Sequence, residues 1–174
     1  SGLDAPTVEL LPGRRTAEAN GDTTTLSIRP NTNGTSVDLV SVFLSLDTLF
    51  FNLVDQNAAV AGVQPFALST GVNGLTLTDT LKAGADSTTA GKWLLDLVYF
   101  EQAGTAALNG DSTLATVQVV TKDTVGASEI RIDHAGTRKT AFYREGEVVA
   151  LIAPKVGSSY ELKRRGSLSG QILL

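Results

Sequence analysis

The chain has 174 residues, of which 42% are hydrophobic and only 18% charged, with a net charge of −4, one His and no Cys. That balance gives one domain with a sizeable core, or one domain plus a short flank, and excludes disorder driven by charge. The basic residues cluster only at Arg14–Arg15 and Lys163–Arg164–Arg165, without interleaved aromatics, which excludes the positive stripe that a nucleic-acid surface needs.

Without Cys there is no disulfide framework and no thiolate metal site, although this alone does not fix a compartment. No apolar run reaches the length that crosses a bilayer, so membrane insertion is not expected. The opening SGLDAPTVEL lacks a charged-then-apolar signal pattern, and no Met occurs anywhere in the chain. The expectation is a module of a longer protein whose other parts carry the targeting signal.

In chain order, Thr7–Leu11 predicts a short strand closed by Pro12–Gly13. Thr23–Arg29 predicts a second, entered from the turn Asn20–Gly21–Asp22 and ended by Pro30, which has no N–H to give a ladder. After the turn over Asn31–Thr35, the segment Ser36–Asp47 alternates with a period of two. It places Val40, Val42, Leu44 and Leu46 on an inward face and Leu39, Ser41, Phe43 and Ser45 on the other. Thr48–Val54 fits a short strand or one helical turn, and Asp55–Gly62 a loop or brief helix. Leu75–Lys82 alternates Leu with Thr and Asp, as a half-exposed edge strand does.

Lys92–Glu101 is apolar on both faces. Trp93, Leu95, Leu97 and Tyr99 share one, while Leu94, Asp96, Val98 and Phe100 share the other. Either a loop covers the second face of a central strand, or that face is an exposed binding patch. Beyond the turn at Asn109–Gly110–Asp111 follow Leu114–Thr121, with Ala115, Val117 and Val119 inward, and short strands over Ser128–Asp133, Thr137–Arg144 and Glu147–Ile152. Strands at about ten-residue intervals with turn residues between them predict an all-β sandwich or barrel. Residues 1–154 are expected to form the domain. Residues 155–174 read either as a linker with the first strand of a following module or as a further strand of the same sandwich.

The chemistry inventory points away from catalysis. His134 stands beside Asp133 at a turn, but no G-x-S-x-G elbow supplies a nucleophile, so no catalytic residue is assigned. Asp96 and Glu101 lie five positions apart on one strand and project to opposite faces, which fails the paired-carboxylate geometry of a glycosidase. The two Asn–Gly–Asp segments offer hard oxygens without the spacing of a calcium loop and read as turns. Asn33–Gly34–Thr35, formally a glycosylation sequon, also reads as a turn. Gly residues show no phosphate-binding spacing, and no cofactor or metal is expected.

The order of segments resembles cohesin modules, the β-sandwich receptors of cellulosomal scaffolds. Thr23–Arg29 is similar to the family's polar strand, Val37–Asp47 followed by Leu49 to the strand that ends in Asp and Leu, and Lys92–Glu101 with Gly104 to its apolar strand and loop. The run Asn109–Val117 (NGDSTLATV) is the most similar stretch, and the likeness spans Thr7 to Ile152. It implies a two-sheet antiparallel jelly roll of about nine strands, extracellular or at the cell surface. Such a module binds a dockerin-type partner through one sheet face, with calcium carried by the partner. The residues implied for that face are Leu39, Ser41, Phe43, Ser45, Asp96, Val98, Phe100, Thr116 and Gln118. The long Asp55–Lys82 region and the tail after Pro154 depart from the family. Gly166–Leu174 resembles the opening strand of small β-modules in multidomain surface proteins.

Carbohydrate binding is the alternative for a jelly roll, yet aromatics make up only 6% of the chain and Trp93 shares a face with Leu95 and Leu97. A structural spacer, which needs no ligand, is the third reading.

Overall fold

Alternation at a period of two becomes two facing sheets in the computed structural model, which describes residues 4–102, 106–109 and 112–164. The smaller sheet joins β1 (Thr7–Leu11), β3 (Thr23–Asn31) and β9 (Ala115–Thr121). Along the far edge of β9 lie β5 (Phe51–Leu53) and β6 (Phe66–Leu68), one after the other. The larger sheet is centred on β4 (Leu39–Asp47). One edge of β4 pairs along its whole length with β8 (Lys92–Phe100), which in turn pairs with β7 (Leu75–Ala83).

The other edge of β4 is divided. β10 (Gly126–Ile132) pairs with Leu44 and Ser45, and β13 (Ala141–Arg144) with Leu39 to Ser41. Between them the chain leaves the sheet as a small hairpin of β11 (His134–Ala135) and β12 (Arg138–Lys139). β14 (Glu147–Leu151) extends the sheet from β13. β15 (Lys155–Lys163) and β2 (Arg14–Glu18) extend it from β10, β2 running parallel to β15.

This is the all-β antiparallel jelly-roll sandwich that the sequence predicts, with fifteen strands among the described residues in place of about nine. Some of the surplus comes from interruption: the predicted strand over Thr137–Arg144 is split where the hairpin rejoins the sheet. The core lies between the sheets. β4 contributes Val40, Val42, Leu44 and Leu46, β8 contributes Leu95, Leu97 and Tyr99, and Leu26, Ile28, Val117 and Val119 oppose them, all buried. Phe51 and Tyr160 meet edge to face across the core with centroids 5.2 Å apart. Each such side chain contributes roughly 1.5–3 kcal/mol by leaving water.

Two local expectations are corrected. Pro30 does not end its strand, because β3 continues to Asn31. Ile28 carbonyl accepts from Leu114, and Pro30 faces the same side two residues later, where β9 has ended, so the missing N–H deprives no partner. The boundary expected after Pro154 falls directly at the start of β15. That strand pairs with β10 and β2 and buries Ser158, Tyr160 and Leu162, so residues 155–163 are sandwich. The reading of Gly166–Leu174 as a following module concerns residues outside those described.

Candidate functional site

Cross-strand partners in an antiparallel sheet carry their side chains on the same face, so the register defines the outer surface of the larger sheet row by row. One row crosses five strands: Leu75 opposite Phe100, Phe100 opposite Leu39, Leu39 opposite Tyr143, and Tyr143 opposite Val148. The next row is Thr78, Val98, Ser41, Ala141 and Leu151. Leu75, Val148 and Leu151 are 63%, 49% and 55% exposed, and Phe100 is 37% exposed. Leu77, set out by a bulge in β7, adds to the same end of the face. The result is an apolar stripe running from one edge of the sheet to the other, bordered on β7 by Thr78, Thr80 and Lys82, which share the outer face with Val98, Asp96 and Leu94.

The other half of the face is covered. Asp133–Thr140 leaves the divided edge of β4 and lays Arg138 over the sheet, its guanidinium 5.1 Å from the centre of the Phe43 ring. Arg138 donates to the carboxylate of Asp96 on β8, to Leu44 carbonyl at 2.9 Å and to Asp133 Oδ2 at 3.3 Å. Lys82 Nζ lies 3.7 Å from the second oxygen of Asp96. Ser45 hydroxyl donates to Asp133 Oδ1 at 3.0 Å, Ser41 hydroxyl donates to Lys139 carbonyl, and Phe43 N–H donates to Thr140 Oγ1 at 3.0 Å. Ser41 and Ser45 of β4 and Asp96 of β8, all turned outward, hold the hairpin down.

The candidate residues therefore separate into three groups. Leu39, Val98 and Phe100 lie in the open stripe. Ser41, Phe43, Ser45 and Asp96 lie at or under the hairpin, with Ser41, Ser45 and Asp96 buried. Thr116 and Gln118 are on β9, opposite Ser27 and Thr25, and so belong to the other sheet across the core. They do not share a face with the rest. Both readings of the doubly apolar β8 hold, each for half of the strand: the Asp96 end is covered and the Val98–Phe100 end is open.

Sequence reasoning did not include Leu75, Leu77, Tyr143, Val148 or Leu151. A signal existed in Glu147–Ile152, whose unbroken apolar run Val148–Ile152 lacks the alternation of a strand with one wet face, and in the Leu–Thr alternation of Leu75–Lys82.

Away from this face, Trp93 packs against the core and donates its indole N–H to Phe51 carbonyl at 2.9 Å. Its ring is directed to the core side of β8 rather than to the outer face. Asn20 and Gly21 adopt positive φ, and Asp22 accepts Glu18 N–H and pairs with Arg15 at 3.6 Å. That Asn–Gly–Asp segment is a turn whose carboxylate has local partners. Burial raises the Asp79 pKa from its ordinary value, against the Phe66 N–H that it accepts, with Asp55 adding to the rise. Among the described residues no group of three or more His, Cys, Asp or Glu is placed to hold a metal, and no helix is long and apolar enough to cross a membrane.

No protein-family model matches this chain, and no curated protein matches it either. Its fold is that of cohesin domains. CaCohA2 from Clostridium acetobutylicum is similar with a TM-score of 0.58 at 17% identity, over 92% of this chain and 93% of that one. The third ScaB cohesin of R. flavefaciens, solved in complex with a group 1 dockerin, gives 0.56 at 10% identity over 94% and 98%. A type II cohesin domain from the cellulosome of Acetivibrio cellulolyticus gives 0.55 at 16% identity over 92% and 93%.

Proposed function

We propose that this chain is a non-catalytic, extracellular protein-recognition module that takes a dockerin-type partner on the outer face of its larger sheet. The observation that carries the reading is the apolar stripe from Leu75 through Phe100, Leu39 and Tyr143 to Val148. An apolar centre with a hydroxyl and charged rim is the anatomy of a docking surface, and a flat sheet suits the apolar side of an amphipathic helix. The likeness in fold to a cohesin solved with a dockerin supports the choice of partner. Calcium in such a complex is carried by the partner.

Binding of dockerin-bearing proteins from the same source, measured by calorimetry with and without Ca²⁺, tests this directly. Phe100→Asp and Leu75→Asp each place a charge within the apolar stripe and weaken binding, by on the order of 2 kcal/mol or more for Phe100→Asp. Thr116→Ala and Gln118→Ala, on the opposite sheet, leave it unchanged. Failure to bind any dockerin in Ca²⁺, or equal losses from both sets of variants, overturns the reading.

A further inference from the structure

At the end of the sandwich where β8 leaves its sheet lies a cavity of about 600 Å³. Its walls are the turn Thr70–Leu75, the segment Phe100–Gln102, Ala107 and Ser112–Thr113. It opens beside Leu75 and Phe100, both exposed, and much of its lining is apolar. That size falls within the range of small-molecule sites, roughly 300–1,000 Å³.

Glu101 forms part of the wall and is only 6% exposed. Its Oε2 accepts the hydroxyl proton of Tyr99 at 2.8 Å, and Tyr99 oxygen in turn accepts Gly74 N–H at 3.0 Å. The single proton of Tyr99 is thus committed to one carboxylate oxygen. Oε1 is buried and has no partner among the described residues. Nor does any ion pair reach Glu101 among the described residues. A buried carboxylate oxygen left unpaired is costly, and native proteins keep such a group where something else supplies the donor. The backbone fixes it in place, since Glu101 N–H donates to Asp38 carbonyl at 2.9 Å.

We infer that this cavity is a binding site for a small organic amine, its ammonium group donating to Glu101 Oε1 and its apolar body lying against Val72, Leu75, Phe100 and Ala107. A cationic head answers the carboxylate, and an apolar stem answers the lining. The site shares Leu75 and Phe100 with one end of the docking stripe, but its carboxylate, Glu101, is not part of that stripe, so the inference does not rest on docking.

The test is a titration of the full chain with phenethylammonium and with the uncharged phenethyl alcohol, followed by amide chemical shifts. Saturable shifts with the ammonium, centred on Gly74, Glu101 and Ala107, are expected, with the alcohol binding roughly tenfold or more weakly. Glu101→Gln removes the charge at constant shape and weakens the ammonium by a similar factor. Ala107→Phe fills the cavity and abolishes binding of both probes, and it decides the matter if Glu101→Gln fails to fold. Absence of saturable binding at millimolar ammonium means that the cavity holds solvent only, equal binding of the alcohol that Glu101 makes no ionic contact, and wild-type affinity in Ala107→Phe that the probes bind elsewhere; each overturns the inference.

Discussion

Arg138→Met removes the clamp that holds the hairpin on the sheet while keeping most of the side-chain volume. Asp96 is buried and sits between Leu94 and Val98 on its own side of β8, so losing Arg138 strands a carboxylate whose one remaining cation is Lys82 at 3.7 Å. Removing one member of a buried pair costs about 3–5 kcal/mol. The Arg138 and Asp96 side chains keep 13% and 12% exposure and Lys82 remains, so the lower end, about 3 kcal/mol, applies. In a domain of this size that lowers Tm by roughly 6–12 °C. Urea unfolding with an unchanged m-value measures it. Combining the change with Asp96→Asn removes the stranded charge, and the two losses should fall short of additivity by on the order of 1–3 kcal/mol. A loss under about 0.5 kcal/mol for Arg138→Met, typical of a featureless surface position, or strict additivity, refutes the clamp.

Three further outcomes follow from the core and the cavity wall. Phe51→Ala empties a fully buried position that meets Tyr160 edge to face, and chemical denaturation should show a loss of about 3–5 kcal/mol. Gly74→Ala should destabilise by roughly 1–3 kcal/mol in the same assay, because an added Cβ would strike Phe100 carbonyl and Tyr99 hydroxyl. Desolvation, with the Glu101 hydrogen bond and charge, pushes the Tyr99 phenol from 10.0 up to about 12. A raised folded value favours the protonated form, so its contribution is complete below pH 10 and is lost as pH rises towards 12. Stability measured across that window should fall less steeply in Tyr99→Phe than in the wild type, and an identical slope counts against the assignment.

The parts of the fold that local alternation encodes were legible in the sequence. Val40, Val42, Leu44 and Leu46 are the inward face of β4, and Ala115, Val117 and Val119 that of β9, because a half-buried strand must alternate. β2 carries too little apolar character for the same test: among Arg14–Glu18 only Ala17 is buried, and the strand is made by its parallel partner β15, far away in sequence. The site was legible only in part, for a similar reason. Phe100 and Val98 could be assigned an outward face, but which other strands lie beside them depends on long-range pairing. Gln118 has the same polar, outward character as a rim residue, and nothing local says that β9 belongs to the opposite sheet. Arg138 reads as an ordinary turn cation until Asp96 is brought to it across 42 positions of chain.

The divided edge of β4 has a last consequence. Ile132 and Ala141 are anchored on Leu44 and Ser41, and Asp133 and Arg138–Thr140 carry the contacts with β4 and β8, so only the tip between them is free of ties to the sheet. The hairpin turns at Gly136, where φ is positive and the residue is exposed. Length and composition can therefore be rewritten at that tip without moving a single rung of the ladder. A scaffold built this way can change its tastes by editing one short insert, and leave its architecture untouched.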